Sequence, residues 1–193
     1  MPGFEIVALA ASAGGLKALT DVLAALPRDF AAALVVVLHL DRRHRSLMAE
    51  ILGKRTALLV REARDGDKLE RGLVLIAPPD HHLLVNADGS VSLSRTELVH
   101  FVRPSADLLF ESTAAAYRER AVAVVLSGSG RDGAMGVKAI KKMGGTVIVQ
   151  DEKTSEFFGM PEAAQQTGIV DFILPLSEIA PALRTLIAGA ADP

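Results

Sequence analysis

The sequence predicts a doubly wound α/β fold: a mostly parallel sheet with helices on both faces and an antiparallel hairpin appended. Three observations carry that expectation. Apolar runs of strand length alternate with helix-length amphipathic segments, joined by short links that hold many of the Gly and Pro residues. The runs 33–38 and 121–126 contain no polar side chain, as a strand covered on both faces requires. Half of the 193 residues are hydrophobic (50%) but only 4% are aromatic, so the core must be assembled from Ala, Val, Leu and Ile.

Each element has its own local reason. Residues 5–10 read as the first strand, and a helix over 16–25 follows, with Leu16, Leu19, Leu23 and Leu26 on one face until Pro27 ends it. The second strand, 33–38, stops at His39. Ser46 is an N-cap for a helix through Leu52, closed by Gly53. Residues 57–61 make a short strand before the charged turn 64–67, and 72–77 make another before Pro78-Pro79-Asp80. The segments 83–86 and 91–94 flank Ala87-Asp88-Gly89-Ser90, which is a hairpin signal. Pro104-Ser105 opens a helix to about Tyr117, followed by a strand over 121–126 and the loop 127–133. A helix over 134–143, a strand over 146–150, a helix over 161–166, a strand over 172–174 and a helix over 176–187 complete the pattern. With no repeat or low-complexity tract, 1–193 is expected to form one domain.

Bulk properties exclude several function classes. A net charge of −2 predicts neither nucleic-acid affinity nor attraction to membranes. With no cysteine there is no disulfide, thiol nucleophile or thiolate metal site, and neither a metal nor a cofactor is expected. The N-terminus Met1-Pro2-Gly3-Phe4-Glu5 lacks a basic n-region, and the longest apolar stretch, 31–38, is far too short to cross a bilayer. A cytoplasmic protein without membrane insertion is the expectation.

Ligands of such a sheet bind beyond the carboxyl ends of the strands, and three polar features fall there. Ser12 follows the first strand on a turn of small residues, Ala10-Ala11-Ser12-Ala13-Gly14-Gly15, a G-x-S-x-G nucleophile elbow with alanine in its first small position. His39 ends the second strand, and Asp132 lies in the loop Ser127-Gly128-Ser129-Gly130-Arg131-Asp132-Gly133. Converged, they suit a nucleophile, a general base and the carboxylate that fixes the imidazole. Blander readings stay open: Ser12 and Asp132 as helix caps, and Gly128-x-Gly130-x-x-Gly133 as a phosphate cradle. Against the cradle, Asp132 sets a carboxylate where the phosphate belongs. Asp80-His81-His82 reads as a solvated turn rather than a metal cluster. The run Arg42-Arg43-His44-Arg45, directly after His39, suits steering of an acidic partner, with Arg42 a substrate-binding candidate. Lys138, Lys141 and Lys142 suit an exposed helix end, and Arg103 and Glu156 carry no catalytic assignment.

The Ser12 turn, the strand ending in His39, Arg103-Pro104-Ser105, Leu126–Ala134 and Phe158-Gly159-Met160-Pro161 occur in one order. Together they resemble the catalytic domain of the chemotaxis protein-glutamate methylesterase family, CheB, over roughly 6–186. The resemblance implies a serine-type hydrolase that removes methyl esters from glutamates on chemoreceptor helices, releasing methanol, with glutamine deamidation as a second activity. It implies Ser12, His39 and Asp132 as the catalytic residues. The amides of Ala13, Gly14, Ser129 and Gly130 are candidates for the oxyanion hole, and Met160 for the substrate groove. The chain departs from the family pattern at Ala10, Ala13, Leu38, Leu40-Asp41 and Ser129, which touches substrate preference but no triad member. No receiver-like half precedes Ile6, so control by a separate receiver or methyltransferase protein is expected. Two alternatives are a serine esterase or amidase with another substrate, and a non-catalytic receptor-binding module.

Overall fold

The computed structural model describes residues 5–39 and 46–189. Its centre is a seven-stranded sheet in the order β3-β4-β2-β1-β7-β8-β9, every pairing parallel. The strands are β1 (Ile6–Ala11), β2 (Ala33–Leu38), β3 (Leu59–Glu62), β4 (Leu73–Ile76), β7 (Ala121–Val125), β8 (Thr146–Gln150) and β9 (Phe172–Leu174). The predicted hairpin is β5 (His82–Val85) with β6 (Val91–Ser94), an antiparallel sheet of its own. It is tied to the helix α3 (Ala106–Tyr117), whose Ser112 hydroxyl accepts from the Val85 amide at 3.0 Å.

The alternation of side chains along β1 divides the core in two. Ile6, Ala8 and Ala10 face a layer containing α3, α4 (Ala134–Lys142) and α5 (Gly159–Gln165). Val7, Leu9 and Ala11 face α1 (Gly15–Ala24), α2 (Met48–Gly53) and α6 (Leu176–Ala188). Every residue of β1, β2 and β7 is buried, which explains why those runs carry no polar residue. Each Val or Leu so buried contributes about 1.5–3 kcal/mol relative to exposure.

Local differences from expectation have simple causes. The helix expected over 161–166 starts at Gly159, with Pro161 in its first turn, where an N–H has no partner within the helix anyway. The helix near Ser46 begins at Met48 with Leu47 as its N-cap, so Ser46 lies one residue outside the expected cap position, though its hydroxyl still accepts from the Met48 amide at 3.1 Å. Among the described residues, no helix is long and apolar enough to cross a membrane.

The topology sets one position apart. β1 is bonded to β2 on one side and to β7 on the other, so the strand order reverses there. Such a switch point opens a crevice beyond the carboxyl ends of the strands. Ser12 stands at its mouth.

Candidate active site

Register brings the three expected residues together. Ala11 pairs with Leu38, so Ser12 and His39 are the next residues of adjacent strands, which lie about 5 Å apart. The His39 amide donates to the Ala11 carbonyl at 3.1 Å, and the Ser12 amide donates to the Ser127 carbonyl on the other side at 3.0 Å. Ser12 is thus held between the ends of β2 and β7. Its turn needs Gly14, which adopts φ 72° as the residue before α1. Gly128 is required for a different reason: a Cβ there would lie 2.4 Å from Met160 Sδ and 3.0 Å from Ser12 Cβ.

His39 Nε2 lies 2.8 Å from Asp132 Oδ2. The carboxylate accepts, so that nitrogen carries the proton and Nδ1 is left as the basic nitrogen. Both side chains are largely shielded, at 12% and 4% exposure. Ser12 and His39 line one groove of about 630 Å³, with Leu38, Met48, Ile51 and Glu156 among its other walls. The Ser12 hydroxyl makes no hydrogen bond among the described residues.

Asp132 is itself held by four donors. Oδ1 accepts from the Ser105 hydroxyl at 2.9 Å and the Asp107 amide at 3.0 Å; Oδ2 accepts from the Ala106 amide at 2.6 Å and from His39. These amides open α3, so the carboxylate sits at the positive end of that helix. Burial is the largest influence on its acidity and pushes the pKa up. The His39 hydrogen bond and the Ala106 and Asp107 amides outweigh it together, and Asp132 ends below the ordinary carboxylate range.

The arrangement is reciprocal. Asp107, in the first turn of α3, accepts at Oδ1 from the Gly133 and Gly136 amides (3.0 and 2.7 Å) that open α4. Each aspartate thus serves the helix that begins beside the other. Burial, aided by the charge of Asp132, raises the Asp107 pKa despite those amides. Its Oδ2 has no well-formed hydrogen bond and faces His100 Nε2 at 3.2 Å. With the Gly133 amide occupied by a carboxylate, the phosphate-cradle reading of the loop loses a donor.

A family model described as CheB methylesterase matches residues 7–183. The chain belongs to the CheB methylesterase family. The protein-glutamate methylesterase/protein-glutamine glutaminase of Moorella thermoacetica is 42% identical over 98% of the chain and 46% of its own length. That of Anaeromyxobacter dehalogenans is 46% identical over 94% of the chain and 53% of its own length. The solved Thermotoga maritima CheB methylesterase catalytic domain superposes with a TM-score of 0.92 at 36% identity, covering 96% of this chain and all of that one (100%). The chain spans about half the length of these two curated relatives.

Other expected positions of this CheB-family chain fall unevenly. The amides of Ala13, Gly14, Ser129 and Gly130 make no hydrogen bond among the described residues and flank Ser12 from two loops. Met160 must be corrected: it is fully buried (0% exposed) beneath Gly128, a core residue rather than a wall of the groove. Arg42 and the basic run around it lie outside the described residues. The solvated-turn reading of 80–82 also fails at His82, which is fully buried. Asp80 is clamped by Arg103 and Arg95, whose hydrogen bonds lower its pKa to about 2. Among the described residues, no group of three metal-ligating side chains occurs.

Sequence reasoning missed the supports. Ser127 Oγ donates to the Ala13 carbonyl at 2.8 Å and accepts from the Phe157 amide at 3.0 Å, joining the Ser12 turn to the loop before α5. Gln150 Oε1 in turn accepts from the Ser127 amide at 2.8 Å. A serine and a glutamine ending otherwise apolar strands were the available signal.

Proposed function

We propose that this chain is a cytoplasmic protein-glutamate methylesterase that demethylates chemoreceptor helices, with Ser12, His39 and Asp132 as its catalytic residues. The observation that carries the reading is the His39–Asp132 hydrogen bond, with Ser12 on the next strand end in the same groove.

In this mechanism Ser12 Oγ attacks the glutamyl ester carbonyl while its proton passes to His39 Nδ1. Asp132 holds the ring through Nε2 and stabilises the imidazolium without taking its proton. The oxyanion is met by amides drawn from Ala13, Gly14, Ser129 and Gly130; one such donor is worth about 10²–10³ in rate. Collapse expels methoxide, which takes the His39 proton and leaves as methanol. Water, deprotonated by His39, then attacks the acyl-serine ester, and the proton returns to Ser12 as the free glutamate leaves. A glutamine side chain would follow the same path with ammonia as leaving group, and the names of the relatives support that second activity.

The test is methanol release from a carboxyl-methylated chemoreceptor signalling domain, with a 4-nitrophenyl ester as comparator. Ser12-dependent release from the receptor supports the reading. Hydrolysis of the small ester alone would replace it with an esterase of another substrate class, and neither reaction would leave a binding module.

A further inference from the structure

His82 is unused by the mechanism, yet it is fully buried (0% exposed) with both ring nitrogens engaged. It opens β5 in the small hairpin sheet, well away in sequence from all three catalytic candidates. Its Nε2 lies 2.9 Å from the Glu97 carbonyl, which can only accept, so that nitrogen carries the proton. Its Nδ1 accepts from the Ser105 amide at 3.1 Å. One tautomer satisfies both contacts.

Ser105 is the N-cap of α3, and its hydroxyl is fully employed: it accepts from the Leu108 amide at 3.5 Å and donates to Asp132 Oδ1 at 2.9 Å. The next two amides, Ala106 and Asp107, supply the remaining non-histidine bonds to Asp132. Three consecutive residues therefore hold the carboxylate, and the His82 ring fixes the first of them. A line of hydrogen bonds runs from the Glu97 carbonyl through His82, Ser105 and Asp132 to His39. Without the imidazole, the Ser105 amide would be a buried donor lacking a partner, a cost that a shift of the cap would relieve.

We propose that His82 is a positioning residue of the active site: its Nδ1 sets the α3 cap that aims Asp132 at His39. The inference rests on the functional reading above. It separates His82 from a merely satisfied core histidine, because only the Ser105-facing nitrogen matters to the chemistry.

Two substitutions divide the ring's two contacts. In His82→Asn the amide oxygen stands near the place of Nδ1 and still accepts from Ser105. In His82→Gln the amide nitrogen reaches toward the Glu97 carbonyl but offers Ser105 no acceptor. A third variant, Ser105→Ala, removes only the hydroxyl. Three quantities are measured: the rate of Ser12 labelling by a fluorophosphonate, the downfield proton resonance of the His39–Asp132 hydrogen bond, and the thermal midpoint.

Misplacement of the carboxylate is expected to slow labelling by up to about 10²-fold in His82→Gln and Ser105→Ala, with His82→Asn within about threefold of wild type. The resonance stays in place in His82→Asn and moves or vanishes in His82→Gln. Lowered midpoints with unchanged labelling and resonance in all folded variants would overturn the proposal. If His82→Gln does not fold, labelling slowed in His82→Asn, which keeps the acceptor for the Ser105 amide, as strongly as in Ser105→Ala overturns it equally. A wild-type protein that is never labelled at Ser12 would refute the functional reading instead. The resonance would still report whether His82 aims Asp132.

Discussion

Replacing Asp132 by asparagine tests the heart of the site, because its shape is kept while its hydrogen-bonding capacity is halved. Two carboxylate oxygens now receive four donors: Ser105 Oγ, the Ala106 and Asp107 amides, and His39 Nε2. In Asp132→Asn the single oxygen best serves the Oδ2 side, where it keeps Ala106 and His39. The NH₂ group then faces Ser105 and Asp107. The serine hydroxyl can rotate to accept from it, but the Asp107 amide cannot. One buried orphan donor costs about 1–3 kcal/mol, and the lost negative charge at the start of α3 adds about 0.3–1 kcal/mol. For a chain of this length each kcal/mol moves Tm by about 2–4 °C, so a fall of several degrees is expected. The loss in rate should far exceed that loss in stability. Removing the charge that orients and stabilises the imidazolium costs about 10⁴ in turnover in the serine-protease triad, and the same order is expected here. Methanol release and differential scanning calorimetry measure the two effects on one sample. A variant that keeps its Tm and retains activity within about tenfold of wild type would show that Asp132 neither orients His39 nor stabilises its imidazolium.

The remaining predictions concern the surroundings. Asp107→Asn keeps the oxygen that accepts from Gly133 and Gly136 and removes a charge that burial disfavours, so it should match or exceed wild-type stability at pH 7. Asp107→Ala orphans both amides and should lose about 2–4 kcal/mol in urea denaturation; equal stabilities would contradict the assigned bonds. Gly128→Ala drives a methyl into Met160 Sδ and against Ser12 Cβ, which should cost about 1–3 kcal/mol and more than tenfold in activity. Adding Met160→Ala should restore part of the stability, and a fully active Gly128→Ala enzyme would show that the approach is looser than drawn. Asp132 is more acidic folded than unfolded, so its contribution is present above the ordinary carboxylate pKa and is lost as pH falls through the lowered folded value. Asp107 acts in the opposite sense: protonation relieves its cost on acidification. Asp132→Asn should therefore flatten the acid limb of the stability curve and Asp107→Asn steepen it, as acid titrations followed by circular dichroism would show.

How far the fold could be read ahead of the structure follows from where the signals lie. β1, β2 and β7 are uninterrupted apolar runs with punctuated ends, so their places were legible to within a residue, and Ser12, His39 and Asp132 were legible as polar residues at those ends. The supports were not. Ser105 and Asp107 look like ordinary helix-opening residues, and only the tertiary approach of two helix starts, 27 and 25 positions apart from Asp132 in sequence, gives them carboxylate and amide partners. His82 adjoins Pro79, Asp80 and His81, which are turn-like residues, and it was masked by them. Its burial depends on β5 leaning on α3, a contact with no local signature. Met160 was expected in the groove on the family resemblance alone; it lies in the first turn of α5, and its side chain fills the space that Gly128 leaves.

The most direct test of the account is to treat the protein with a fluorophosphonate probe and map the adduct by peptide mass spectrometry. A single adduct on Ser12 is expected, absent in Ser12→Ala and formed far more slowly in His39→Ala. An adduct on another residue, or undiminished labelling without His39, would contradict it.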